Sequence, residues 1–318
     1  MAGDHLRLLI LVLALDAAIG YPEVLFRRIG HPVTWMGAAV ELCERHLNPS
    51  ARSFAARRVG GAIALLLILV AACGIALSIG WLDFLPLTVI CGAALMAQRS
   101  LYVHVLAVAE ALEDGGLEAG RRAVARIVGR DTDALDAHAV CRAAIESLSE
   151  SASDGVAAPA FWLAFAGLPG CVFYKAVNTA DSMIGHRTEK YEAFGWASAR
   201  LDDLVNLVPA RLTALLIAAA ALFIRDADAT AALRSAWRDG RKHKSPNAGW
   251  PEAAMAGALG LKLAGPRIYD GELVDSVYMG DGRYRARVED IYRALSLARI
   301  AALLQFLLIL VLALLTTL

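Results

Sequence analysis

The sequence predicts an all-α, multi-pass transmembrane protein. Three observations carry that reading. The chain is 58% hydrophobic and only 19% charged, its mean hydropathy is +0.53, and its apolar residues gather in long uninterrupted runs. An ordinary soluble domain carries about one quarter charged residues. The same composition excludes a disordered chain, which needs low hydrophobicity and high net charge. The 31 basic residues are balanced by 31 acidic ones, which excludes the basic surface of a nucleic-acid binder. Five cysteines form an odd set with no C-x-x-C pair, so free thiols are expected rather than a disulfide or zinc framework.

Four spans follow in order, within one integral-membrane domain, 1–318. Residues 6–19 are apolar except Arg7 and Asp16, and lack the basic start and cleavage site of a signal peptide. Residues 60–79 carry no charge and match the bilayer-crossing length. Residues 84–97 follow Trp81, an expected interfacial anchor. Residues 298–318 close the chain, with Gln305 as the interior polar side chain. Two further stretches, 156–173 and 204–224, contain Pro159 and Pro169, or Asn206, Pro209 and Arg211. They read as re-entrant or broken helices lining a protein cavity. The loop 21–59 holds six Arg and three Glu, a basic excess that marks a cytoplasmic segment and puts the N-terminus outside. If neither broken stretch crosses, every helical polar loop shares the cytoplasm, the arrangement favoured here. If both cross, residues 174–203 face outward.

Four polar blocks could carry chemistry. Glu146, Glu150 and Asp154 recur every four residues, an acidic stripe running straight into an apolar segment. It is either a solvated helix face or a set of functional carboxylates. In the second block Asn178, Asp181, Ser182 and Gly185 share a helical face, with Lys175 before them and Arg187 after. That set suits magnesium or a polar substrate, with the cations for phosphate or carboxylate, unless it is a polar helix lying on the bilayer. In the third, Asp202, Asp203 and Asn206 are bracketed by Arg200 and Arg211. Arg211 opens an apolar run, so a partner such as Asp202 or Asp203, or a bound anion, is expected. The fourth, His243 to Glu252, joins Ser245-Pro-Asn247-Ala-Gly turn chemistry to a helix start. It is an ordinary capped loop or an anion site beside His243 and Lys244. No P-loop is present.

These blocks, HPVTWMG at His31, SLSESASDGVAAP at Ser147, YKAVNTADSMIGHR at Tyr174, ARLDDLVNLVPARLT at Ala199 and SPNAGWPEAAMAGALG at Ser245, resemble the CobD/CbiB family of cobalamin-biosynthesis proteins. The likeness covers most of the chain, and departs at Tyr21, Ser151 and His186. It implies a multi-pass enzyme of the inner cell membrane, with its site facing the cytoplasm. The implied reaction is ATP-dependent carbon–nitrogen ligation of adenosylcobyric acid to aminopropanol or its phosphate. Magnesium and ATP are the implied cofactors, and other corrinoid-pathway membrane enzymes the implied protein partners.

On that reading Glu150, Asp154 and His243 move protons. Lys175, Asn178, Arg187, Arg200, Arg211, Ser245 and Asn247 bind substrate or phosphate, and Asp181, Asp202 and Asp203 hold metal. Two other classes fit parts of the pattern. An intramembrane magnesium-dependent prenyltransferase would use Asn178-x-x-Asp181 and Asp202-Asp203-x-x-Asn206 on a diphosphate. A non-enzymatic transporter of an anionic solute would use the broken helices.

Overall fold

A computed structural model describes residues 2–269, 272–274 and 276–316. Helices dominate it, as the apolar runs require. Four helical stretches are long and apolar enough to cross a membrane, and up to six are if each bent pair counts as one span. The chain divides into two compact units.

The first unit takes Met1–Ala97, Ala158–Asn206 and Ile309–Leu318. It opens with α1 (Ala2–Ala18), a short α2 (Glu23–Ile29) and α3 (Pro32–Leu47). Gly3–Ala18 and Glu23–Leu47 meet at 103°, so the first span turns sharply where it leaves the apolar run. The HPVT segment builds the start of α3. The His31 Nδ1 accepts the Val33 N–H at 3.2 Å, Thr34 Oγ1 accepts the His31 N–H at 3.1 Å, and Pro32 supplies a preset φ. Next, α4 (Phe54–Trp81) is capped by Ser53 and carries the charge-free run expected at 60–79. The stretch expected at 84–97 opens with α5 (Leu85–Ala93) and turns, and Leu85–Val124 taken together is one of the four stretches long and apolar enough to cross.

In the same unit, α8 (Ala158–Ile184) breaks at Ala166–Gly167, where Gly167 takes φ +65° just ahead of Pro169. This is the broken helix expected within 156–173. Then comes α9 (Trp196–Val205), which stops at Asn206, inside the second stretch expected to be interrupted. Val40, Leu65, Ile68, Ala180, Ile184 and Phe194 form the core where α3, α4 and α8 meet. Gly61 makes this closeness possible: a Cβ there would lie 1.8 Å from the Phe194 carbonyl oxygen.

The second unit takes Gln98–Ala157 and Leu207–Leu308. It holds α6 (Gln98–Val124), α7 (Ala137–Ser151), a wide π turn (Ala152–Ala157), α10 (Leu207–Ala221), α11 (Ala229–Asp239) and α12 (Gly249–Leu259). The last helix, α13 (Val288–Leu315), gives this unit its residues up to Leu308. Two antiparallel pairs are the exceptions to the all-α reading: β1 (Leu263–Ala264) with β4 (Tyr278–Met279), and β2 (Arg267–Tyr269) with β3 (Glu272–Val274). Every residue of α12 is buried, so the small apolar run after Pro251 is the centre of this unit.

Candidate functional site

In the first unit, one face of α8 presents Lys175, Asn178 and Ser182 at helical spacing. Opposite stand Val33, Thr34, Gly37, Ala38 and Glu41 of α3, and a groove of about 480 Å³ lies between. Thr179 and Met183 complete its wall. The capped start of α3 therefore sets one side of the groove, and the polar block after Tyr174 sets the other. Thr34 and Glu41 were missed in the sequence. Their seven-residue spacing with Gly37 and Ala38 between was the available signal for one helical face.

Behind Asn178 the structure holds one carboxylate in a fixed orientation. Asp202 accepts from Asn178 Nδ2 at 3.4 Å on one oxygen and from Asn206 Nδ2 at 3.0 Å on the other. The buried Tyr174 hydroxyl in turn donates to Asn206 Oδ1 at 3.0 Å. Two of the polar blocks thus meet at Asn178 and Asp202. Asp203 pairs with Arg200 at 3.6 Å. Arg200 lines a different groove, between α4 and α9. Arg187 is exposed beyond the end of α8, and the Asp181 carboxylate lies over Gly185. Among the described residues, no three His, Cys, Asp or Glu side chains converge on a metal position.

The second unit treats its charges differently. Glu146 is 5% exposed, forms an ion pair with Arg130, and accepts the Ala264 N–H at 2.8 Å. Glu150 is exposed at the end of α7. Asp154 sits within the π turn, where the wider i→i+5 winding takes it off the regular four-residue stripe. The acidic stripe is thus divided into a sealed ion pair, a surface carboxylate and a turn carboxylate.

Arg211 takes partners from the fourth block. It donates to Asn247 Oδ1 and, at 3.1 Å, to the Pro246 carbonyl, with its guanidinium 4.6 Å from the Trp250 ring centroid. It clamps the Ser-Pro-Asn loop. Within that loop His243 Nδ1 accepts the Ser245 N–H at 3.0 Å. Ser245 Oγ accepts the N–H groups of Asn247 and Ala248 at 3.2 Å each. These donors, expected to face an anion, serve the turn itself. His243 Nε2 lies 3.7 Å from Glu252 on buried α12. A further network had no sequence signal. Asp239, 3% exposed, takes Arg238 at 2.6 Å, Lys242 at 2.8 Å and the Gly280 N–H at 3.0 Å. Burial pushes this carboxyl up, but the hydrogen bonds from Arg238, Lys242 and Gly280 overcome it and hold it at about 2.

Comparison with known proteins gives a consistent result. Residues 9–298 match the family model described as CobD/Cbib protein. A cobalamin biosynthesis protein CobD of Rhizobium meliloti (strain 1021) is 51% identical over 304 residues, covering 93% of each chain. Proteins of the same name are 48% identical in Rhodobacter capsulatus, covering 92% of each chain, and 48% identical in Brucella suis biovar 1, covering 92% of this chain and 93% of the relative. No solved structure matches the chain.

Proposed function

The chain belongs to the CobD/Cbib family, and from that premise we propose that it acts in cobalamin biosynthesis by joining adenosylcobyric acid to aminopropanol or its phosphate. The observation that supports a reacting site in the first unit is the groove between α3 and α8. It brings an ammonium, an amide and hydroxyls to one open face, backed by a carboxylate that two amides hold in place.

A carboxylate resists amine attack until it carries a better leaving group. ATP supplies one: a substrate carboxylate oxygen takes the terminal phosphoryl group and ADP departs. The amine nitrogen then bonds to the acyl carbon, inorganic phosphate leaves, and the amine gives up a proton. In this scheme Lys175 binds the phosphate of aminopropanol phosphate as a point charge. Asn178 and Thr34 orient the amine substrate along the groove. Magnesium, when bound, would neutralise phosphoryl charge. A magnesium shared with phosphates needs only one or two protein carboxylates, and Asp202, beside Asn178, would be the one to hold it. Glu41, at the groove wall, is placed to take the amine proton.

The test is conversion by purified protein in detergent with adenosylcobyric acid, aminopropanol phosphate and Mg-ATP, followed by mass analysis of the corrinoid. The expected product gains the amine and loses water. Asp202→Asn lowers turnover by roughly 10²- to 10³-fold, the usual range for one electrostatic group. Absence of product with full recovery of folded wild-type protein overturns the amide-forming reading.

A further inference from the structure

A second groove lies in the first unit, between α4 and α9, with a volume of about 420 Å³. Its walls are Ala62, Leu65, Leu66 and Leu69 on α4 and Trp196, Ala197, Arg200, Leu201 and Leu204 on α9. Almost all of that lining is apolar. The α4 wall belongs to the most apolar of the candidate spans. On that wall Leu65 is buried against the core while Ala62 and Leu66 are exposed, so the trough opens on an apolar surface where water does not stabilise it.

Two arginines flank the trough. Arg58 lies one helical turn before Ala62, and its guanidinium is 3.7 Å from the Trp196 ring centroid. Among the described residues no carboxylate pairs with it. Arg200 stands one turn along α9 from Trp196 and is well exposed. Its contact with Asp203 is 3.6 Å, a loose surface pair of small worth. Arg58 and the Trp196 indole thus close the trough where the charge-free run of α4 begins, and Arg200 stands one turn further along the α9 wall. Arg and Trp gather at that depth in membrane proteins, with long cationic side chains reaching to the headgroups.

We infer that this groove is a specific site for one anionic phospholipid, its acyl chain along Ala62–Leu69 and its phosphate at Arg58 and Arg200. The chemistry excludes a polar small molecule, because the trough offers no hydrogen-bonding side chain beyond Arg200 and the Trp196 indole. A second protein helix would meet two positive charges, whereas an anionic lipid matches both the apolar trough and the charge.

The probes are phosphatidylglycerol and phosphatidylcholine of identical chains, added to the detergent-solubilised protein and followed by native mass spectrometry. Phosphatidylglycerol should be retained roughly tenfold or more over phosphatidylcholine, the scale set by two basic groups near an anionic headgroup. Arg58→Gln should remove most of that preference. Ala62→Trp, an exposed position on the trough wall, should lower retention of both lipids while the protein stays monodisperse. Equal retention of the two lipids, or an unchanged preference in Arg58→Gln, overturns the site. So does displacement of phosphatidylglycerol by soluble glycerol phosphate, which would mean that a free phosphate is the occupant, or by adenosylcobyric acid, which would mean that substrate is.

Discussion

Glu146 on α7 and Lys175 on α8 are both charged side chains on long helices in apolar surroundings, but the structure uses them differently. Glu146 is sealed against Arg130 and a strand N–H. Lys175 lines an open groove with hydroxyls, an amide and a carboxylate around it. A sealed pair has fixed partners and contributes to folding once its desolvation is offset. A charge on a groove wall is reached by a ligand that enters the groove. The comparison separates the polar blocks that look alike in sequence. Those of the second unit largely hold loops and strands, and Lys175, Asn178 and Ser182 line a groove.

The largest expected effect tests the sealed side. Glu146→Ala leaves Arg130 buried without its ion pair and the Ala264 N–H without its acceptor. A stability loss of about 3–5 kcal/mol follows, measured by thermal unfolding in detergent. If the variant unfolds with the wild type, Glu146 is not sealed and the contrast with Lys175 collapses. On the open side, Lys175→Met should cost less stability than Glu146→Ala. It should lower kcat/KM for aminopropanol phosphate by roughly 10²-fold, with a much smaller loss for unphosphorylated aminopropanol, because only the former brings a phosphate to the ammonium. Equal losses with both amines would move the phosphate away from Lys175.

The Asp239 network sharpens the same contrast through pH. Its carboxyl is held at about 2, below the ordinary 3.8. A depressed folded value stabilises the protein above the unfolded pKa, and that stabilisation is lost as pH falls from about 3.8 to about 2. The wild type should therefore lose on the order of 2 kcal/mol across that window, and Asp239→Asn should lack this component of the pH dependence. The readout is unfolding midpoint against pH for the two proteins. Identical slopes would show that the Arg238 and Lys242 contacts hold no net charge energy.

Much of this was legible before any coordinates. The charge-free run of α4, the breaks near Gly167 and Asn206, and the face carrying Lys175 and Asn178 all follow from spacing and turn chemistry. What was hidden has physical reasons. Both α4 and α12 are apolar all round, yet α4 is only partly covered while every residue of α12 is buried. Hydropathy cannot distinguish lipid from protein as the apolar neighbour. The acidic stripe assumed regular α winding, and a π turn at Ala152–Ala157 reset the phase at Asp154. Thr34 was read within a family word rather than as part of a helix face, and Glu41, four residues beyond that word, was not singled out. The Asp239 cluster joins residues about forty positions apart, which local spacing does not report.

The smallest expected effect concerns Arg211, where sequence left two roles open. A guanidinium entering an apolar run persists when it is paired or bound to an anion. Here Asn247 and the Pro246 carbonyl take its hydrogen bonds from two different nitrogens, and the Trp250 ring covers one face. Trp250 is itself held edge-on by Trp237, with ring centroids 5.3 Å apart. That geometry needs a planar fork. An ammonium can meet one acceptor or the ring, but not the same three contacts together. Arg211→Lys should therefore cost about 1–2 kcal/mol in stability, the worth of one charged hydrogen bond plus part of a cation–π contact. The loss should be insensitive to added phosphate, since the partners are the loop's own. Thermal unfolding of wild type and variant, with and without phosphate, measures both quantities. A variant as stable as the wild type in buffer, but no longer stabilised by phosphate when the wild type is, would transfer Arg211 from the loop clamp to an anion site. It would also place one charge of the second unit in the class represented by Lys175.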